Sequence, residues 1–405
     1  MAPYRTLDDI EVRGKRVLVR LDLNVPVKDG KVTDSTRIER QAPTLRELSE
    51  KGARVVVLSH FDRPKGKVVP SMSLKPVVAP LSAALGRPVA FAEDCIGDKA
   101  KSAVATLRDG DVLLLENTRF HAGEEKDDPG FAKEVAALGV IFVNDAFSAA
   151  HRAHATTYGL AKLLPFAAGR SMQAELEHLA KALTKPARPL MAVVGGAKIS
   201  TKIALLENLL AKVDVLVIGG AMANTFLAAR GKPIGKSLTE PDQMDTAKNI
   251  LAAAAASGAA LVLPEDVVAA KEFKANAAHR AVSVDHVADD EMILDAGPKT
   301  IEGVRRRLQN VATLVWNGPV GAFETPPFGA GTLAMAKAAA EQTKAGKLLS
   351  VAGGGDTVAA LAAAGVEDDF TYVSTAGGAF LEWLEGKDLP GVSALNIAGE
   401  KGRER

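Results

Sequence analysis

The sequence predicts the α/β class: two three-layer α/β/α domains with mainly parallel sheets, joined by a helix and hinge. Three observations lead there. Short β-branched apolar runs recur, each followed by a helix-like stretch. The runs are continuous rather than alternating, as strands buried on both faces require. Finally, 405 residues with 47% hydrophobic content are too many for one core and ample for two.

The elements follow in order. The first half offers strands at Arg16–Leu23, Arg54–Ser59, Val112–Glu116 and Val140–Asn144. The second half offers Leu190–Val194, Val213–Ile218, Ala260–Leu263, Thr313–Trp316, Leu348–Ala352 and Phe370–Ser374. Helical stretches such as Gln41–Lys51, Phe131–Leu138 and Thr201–Leu210 lie between them. This strand–helix–strand repetition makes each half Rossmann-like. Ten strands are many for one open sheet, so two sheets are expected. Arg170–Leu183 carries Met172, Leu176, Leu179 and Leu183 on one helical stripe. The Pro-punctuated Thr184–Pro189 then breaks the chain before a fresh strand. The expected division is residues 1–172, residues 173–389 with a linker helix at about 170–184, and a C-terminal segment 390–405. The charged end, Ala398–Arg405, reads as mobile.

Composition narrows the function. Fifty basic and 49 acidic residues leave a formal charge of +1, with no broad field for nucleic acid or an anionic membrane. The first 185 residues hold 28 Lys and Arg against 24 Asp and Glu, so the positive excess lies there. The one cysteine, Cys95, cannot form an internal disulfide, and Met1–Ile10 has no apolar signal core. Both favour a reducing, cytoplasmic setting. The Ala-rich stretch Ile250–Leu263, broken by Ser257 and Gly258, is too short for a membrane span.

Ligands of parallel α/β sheets bind beyond the carboxyl ends of the strands. In the first half those exits are polar or basic: Arg20 to Pro26, Ser59 to Pro64, Glu116 to His121, and Asn144 to Phe147 with His151-Arg152-Ala153-His154 soon after. Arg37 follows the first exit. Arginines brought together there would grip a small polyanion with forked contacts to phosphate or carboxylate. In the second half the exits are glycine-rich: Gly195-Gly196-Ala197-Lys198, Gly219-Gly220, Asn317-Gly318-Pro319, Gly353-Gly354-Gly355-Asp356-Thr357 and Ala376-Gly377-Gly378. Five such turns in one domain point to a nucleotide, because glycine lets backbone N–H groups approach phosphate at a helix N-terminus. Lys198 and Lys202, four apart at a helix start, can face the same way. Asp356 can cap a helix or place a phosphate-bound Mg²⁺. Glu324 can accept from ribose hydroxyls.

Two look-alikes fail. Gly231 to Ser237 has three residues between its glycines where a P-loop needs four, and Gly329 to Ala334 follows prolines rather than a strand. His151 and His154 have no Cys or carboxylate cluster with which to hold zinc. A dinucleotide-dependent dehydrogenase would need its glycine fingerprint after a strand, and a non-catalytic nucleotide-binding scaffold would not need the full set of charged exits.

The order of these motifs resembles phosphoglycerate kinase from end to end. The resemblance rests on Val17 to Pro26, Ala150 to His154, Gly195 to Lys202, Val315 to Pro319 and Gly353 to Thr357. It implies a bilobal monomer that binds 3-phosphoglycerate or 1,3-bisphosphoglycerate on the N-terminal domain and Mg-ADP or Mg-ATP on the C-terminal one. It also implies that the last segment returns to the N-terminal domain. The substrate residues it implies are Asp22, Asn24, Arg37, His60, Arg63, Arg119 and Arg152, with Phe61 and Asp62 inside the same loop. On the nucleotide side it implies Lys198, Lys202, Gly219, Gly220, Asn317, Glu324, Gly354, Gly355, Asp356 and Thr357, with Asp356 on the metal. Arg37 and Lys202 would meet the transferring phosphoryl group, and the turns at Gly354 and Gly377 would donate N–H groups to it. The lobes would close about residues 170–189, excluding water. Three positions depart from the family pattern. Phe61-Asp62 stands where an aliphatic residue and glycine are usual, and Ala221 and Ala376 each replace a glycine.

Overall fold

The computed structural model describes residues 4–401, with side chains through 395. It divides into two compact units. One takes the chain up to Leu176 and again from Asp388; the other is Glu177–Lys387. The first boundary falls four residues beyond the expected 172. Helix Arg170–Leu179 runs straight through it, continuing as one wider turn at Ala180–Thr184, so no Pro or Gly marks the passage. The second falls just ahead of helix Pro390–Lys401. That helix belongs with the first unit, where the Gly391 N–H donates to the Ala150 carbonyl at 2.9 Å. Of the end expected to be mobile, residues 402–405 lie outside those described.

The first unit is built on a six-stranded parallel sheet in the order Val89–Ala92, Val112–Leu115, Arg54–Leu58, Arg16–Arg20, Ile141–Asn144, Phe166–Ala168. The central runs are buried on both faces, as in Val17-Leu18-Val19 and Val55-Val56-Val57. Helix Thr36–Glu50 lays Ile38, Leu45 and Leu48 against one of those faces. Each such side chain contributes roughly 1.5–3 kcal/mol by leaving water. The edge strands Val89–Ala92 and Phe166–Ala168 do not register as β-branched apolar runs: the first has one exposed and one half-buried residue, and the second is one phenylalanine and two alanines.

The second unit holds a six-stranded parallel sheet in the order Ala260–Val262, Val215–Ile218, Leu190–Val194, Thr313–Asn317, Leu349–Gly353, Tyr372–Ser374. Numbered along the chain this is 3-2-1-4-5-6, the doubly wound order that opens a crevice where the winding reverses. The reversal falls between Leu190–Val194 and Thr313–Asn317. This unit also carries an antiparallel sheet that the sequence analysis did not foresee, ordered His279–Ser283, Asp266–Ala270, Met292–Ala296. Its outer strand exposes His279, Arg280 and Ala281, so no continuous apolar run announces it.

Candidate active site

In the first unit the strand exits converge. The Arg37 guanidinium donates to the Asp22 carboxylate at 3.0 Å and to the Asn24 carbonyl at 2.8 Å. The Asn24 side chain accepts from the Asp62 N–H at 3.0 Å, and Arg119 donates to the Asp62 carbonyl at 2.8 Å. Burial alone would raise the Asp22 carboxyl. The Arg37 guanidinium beside it, the Ser148 hydroxyl and the Asn24 N–H outweigh that and hold it below the usual range. The Arg119 guanidinium is destabilised by burial, and Arg152 and Arg63 add like charge, against the pull of Glu125 and Glu124. Arg63 and Arg152 are both exposed. Arg63 and Arg152 thus lie near enough to Arg119 for their charges to act on it, and Asp62 and Asn24 link Arg119 to Arg37.

Asp62 resolves one departure from the family pattern. Its backbone is left-handed, at φ 53°, a region open to Asp at modest cost and to Gly at none. Only its N–H and carbonyl are engaged here, and the residue is exposed. Phe61 is buried, with both backbone groups held by the Asn117 amide at 3.1 and 2.7 Å. Phe61 and Asp62 therefore act through the loop's backbone geometry. Asn117, invisible as a site residue in the sequence, sets that geometry.

In the second unit the winding reversal brings two glycine turns into contact. A Cβ at Gly195 would lie 1.9 Å from the Pro319 carbonyl oxygen, and one at Gly318 would lie 2.2 Å from the Gly195 oxygen. The Lys202 ammonium donates to the Asn317 amide oxygen and folds over Gly196. Burial depresses this lysine to about 8, against the attraction of Asp356 and Glu385. Asn317 also donates to the Gly353 carbonyl at 2.9 Å, and the Gly318 N–H to the Thr357 hydroxyl at 2.7 Å. Thr357 is buried, so its hydroxyl ties two turns together instead of facing a ligand. Gly220, Gly354 and Gly377 adopt φ of 69°, 98° and 53° at the mouths of helices Ala221–Ala229, Gly355–Ala364 and Gly378–Leu384. Ala376 leaves the positive φ to Gly377, and Ala221 is an ordinary first helical residue, so neither substitution strains its turn.

The expectation for Lys198 needs correction. A 3₁₀ turn, Ile199–Thr201, intervenes and the α-helix begins only at Ile203, so the four-residue spacing does not align the two lysines. Lys202 turns inward over Gly196, while Lys198 is exposed.

A cavity of about 420 Å³ opens beside these turns. Gly196, Gly220, Val320, Glu324, Asp295 and Asp356 are among its lining residues. Glu324 and Asp356 are exposed, and no hydrogen-bond partner is assigned to either carboxylate among the described residues. A lone free carboxylate at the first turn of helix Gly355–Ala364, beside N–H groups suited to phosphate, fits Mg²⁺, which binds through one or two protein carboxylates plus phosphate oxygens and water.

Asp295 was missed. It is the last residue but one of strand Met292–Ala296 and accepts from the Gly331 and Ala296 N–H groups, both at 2.8 Å. Burial pushes its carboxyl up to about 7 despite those donors. In an unfolded chain it ionises near 3.8, so across pH 4–7 the folded state keeps a proton that the unfolded state has lost. This group's contribution to stability therefore falls as pH rises through that window. Asp295→Asn should gain on the wild type by about 2–4 kcal/mol more at pH 8 than at pH 4 in urea unfolding. An equal difference at both pH values would show that burial does not control this carboxyl.

Asp94, Cys95 and His121 also come together, with Nε2 of His121 at 2.7 Å from Asp94, a grouping no sequence spacing indicated. Cys95 is wholly buried and its thiol is pushed up by that burial, which disfavours the thiolate a metal needs.

The doubly wound sheet and its glycine-lined reversal place the second unit in the class of open α/β domains whose ligand crevice lies at the winding reversal. The phosphoglycerate kinase family model matches residues 7–387. A phosphoglycerate kinase of Methylorubrum extorquens (strain PA1) is 64% identical over 400 residues, covering 98% of this chain and 100% of the relative. One from Rhodospirillum centenum is 65% identical over 392 residues, covering 97% and 99%. The solved phosphoglycerate kinase of Coxiella burnetii superposes with a TM-score of 0.92 at 44% identity, covering 98% of this chain and 100% of that one. That of Pyrococcus horikoshii OT3 superposes with a TM-score of 0.80 at 31% identity, covering 98% and 100%. The chain belongs to the phosphoglycerate kinase family.

Proposed function

We propose that this chain carries out its family's reaction, the reversible transfer of a phosphoryl group from 1,3-bisphosphoglycerate to ADP, giving 3-phosphoglycerate and ATP, with the residue roles that follow. The observation that carries the proposal is the placement of Lys202 over Gly196 and against Asn317, at the winding reversal of a nucleotide-type sheet.

Arg63, Arg119, Arg152 and His60 hold the phosphoglycerate's anionic groups, and Asp22 and Asn24 orient Arg37 toward the transferring phosphoryl group. Gly219 and Gly220 border the base, Glu324 takes the ribose, and Gly354, Gly355 and Gly377 present N–H groups to the phosphates. Asn317 and Thr357 hold these turns in place, and Lys198 is an outer cation for the nucleotide. Asp356 would hold Mg²⁺, which would supply positive charge on the nucleotide phosphates. The phosphoryl acceptor is an ADP oxygen or a carboxylate, and neither has a proton to remove. The chain therefore needs no general base, and catalysis rests on alignment and on stabilising charge in a loose, in-line transition state. Because different units hold the two substrates, transfer requires a hinge motion, for which residues 170–189 are the natural flexing element. The lone Cys95 supports a cytoplasmic enzyme, the near-zero net charge fits small rather than extended anions, and a monomer is what the family resemblance implies.

A coupled assay of ATP formation from ADP and 1,3-bisphosphoglycerate tests the reading. Arg37→Ala should lose on the order of 10²-fold in kcat/KM, because the two groups that orient the guanidinium are left without it. Wild-type protein without turnover would reject the reaction, and an unchanged Arg37→Ala would reject the role.

A further inference from the structure

We propose that Arg20, which touches no substrate in the reading above, is a positioning residue that fixes His60 as the neutral tautomer protonated on Nε2. His60 then offers the substrate a donor whose charge stays constant across the working pH range. The inference rests on the reading that His60 faces the phosphoglycerate.

The argument begins with which atoms can donate. Arg20 is fully buried at the end of the first strand, and a guanidinium has five N–H donors and no acceptor. Its Nη2 lies 2.9 Å from His60 Nδ1. Such a contact is a hydrogen bond only if Nδ1 offers a lone pair, so in the neutral ring the proton sits on Nε2. Nε2 has no partner among the described residues and is not closed off from its surroundings. His60 thus turns an N–H outward.

The arginine cannot swing away, because its fork is held at the other points. Nε donates to the Thr156 hydroxyl at 2.9 Å and Nη1 to the Leu21 carbonyl. The Thr156 hydroxyl in turn donates to one Glu124 oxygen at 2.5 Å, and the Thr156 N–H donates to the other at 3.1 Å. Glu124 is completely buried and balances the Arg20 charge. The chain Glu124–Thr156–Arg20–His60 therefore joins four separate segments of the first unit.

The surroundings also oppose an imidazolium. Burial is the largest influence, and Arg20, Arg119 and His154 add repulsion. Of the charged groups facing the ring, Asp22 alone favours protonation, and it is engaged with Arg37 and Ser148. Beside strand exits that already carry Arg37, Arg63, Arg119 and Arg152, a neutral donor adds orientation without another pH-dependent charge.

The test is long-range ¹H–¹⁵N correlation of the ligand-free wild-type protein, with His60 assigned by the signal lost in His60→Gln. From pH 5 to 9 the ring should show Nε2 protonated and Nδ1 bare, with no midpoint in that range. A majority Nδ1-protonated ring, or a midpoint near 6.5, would overturn the proposal. Arg20→Gln can accept from Nδ1 as well as donate to it. It should mix the tautomers and make KM for 3-phosphoglycerate rise at least threefold between pH 6 and pH 8, where the wild type stays flat. A pH-independent KM in a folded Arg20→Gln would also overturn it, and if that variant does not fold, the wild-type spectrum decides alone. Adding 3-phosphoglycerate should shift the Nε2–H resonance. A locked ring with no shift would remove His60 from the substrate site and so overturn its role as a donor to substrate, while the Arg20 contact would stand.

Discussion

Replacing Lys202 with methionine should nearly abolish turnover and yet make the protein harder to unfold. Removing one group that stabilises transition-state charge costs roughly 10²–10³-fold in kcat. The stability gain comes from the same burial that makes the lysine useful. A depression from 10.5 to about 8 means that the folded state carries a penalty of about 3 kcal/mol at pH 7, where both states are protonated. Losing the Asn317 contact returns roughly 1 kcal/mol of that, leaving a net gain of about 2 kcal/mol. The sign has a clear pH signature. Below pH 8 the penalty is complete; between 8 and 10.5 the folded amine sheds its proton and the penalty fades; above 10.5 it is gone. Urea unfolding should therefore favour Lys202→Met at pH 7 and show a smaller advantage at pH 9.5. A variant less stable than wild type at pH 7 would contradict the electrostatic account. In the wild type, kcat/KM for ADP should fall above about pH 8, because that ratio reports the free enzyme's ionisation.

The second large effect is expected at Gly195. Its Cβ would sit 1.9 Å from the Pro319 oxygen and 2.6 Å from the Pro319 carbonyl carbon, both backbone atoms that cannot rotate aside. The turn opposite is equally confined, since Gly318 meets Gly195 in return and its N–H is bound to Thr357. Gly195→Ala must separate the two central strands at their exits, at a cost of roughly 3–5 kcal/mol. The injury is confined to the second unit. Calorimetry should show ADP binding lost or weakened more than tenfold, while 3-phosphoglycerate binding stays within twofold of wild type. Equal loss of both ligands would mean that the turn supports more than the nucleotide side.

Much of this was legible in the sequence because a buried parallel strand leaves little freedom of composition. Runs such as Val55-Val56-Val57 and Leu190 to Val194 mark the central strands, and the residues just after them mark the ligand edge. Legibility fell where burial fell. Val89–Ala92 has one exposed and one partly exposed residue, and His279–Ser283 presents its charges to water. Among the site residues, Arg20 closes an apolar strand and looks like its polar end. The reason for its burial, Glu124, lies 104 positions away in the chain, too far for any local pattern to report. Lys198 was misplaced for the opposite reason: the four-residue spacing was visible, but the 3₁₀ turn that breaks the helical phase was not.

The chain leaves the first unit at Leu176 and rejoins it at Asp388, and this sets the timing of its synthesis. The ribosome makes the whole of the second unit, roughly 210 residues, before helix Pro390–Lys401 exists. At ~5–20 residues per second that is on the order of 10–40 s. Throughout that interval the surface around Ala150 that receives the helix stays uncovered, and the second unit can finish folding before the first. The part of the polypeptide made first is therefore the last to be completed, and a nascent chain stalled before residue 388 would present that surface to chaperones.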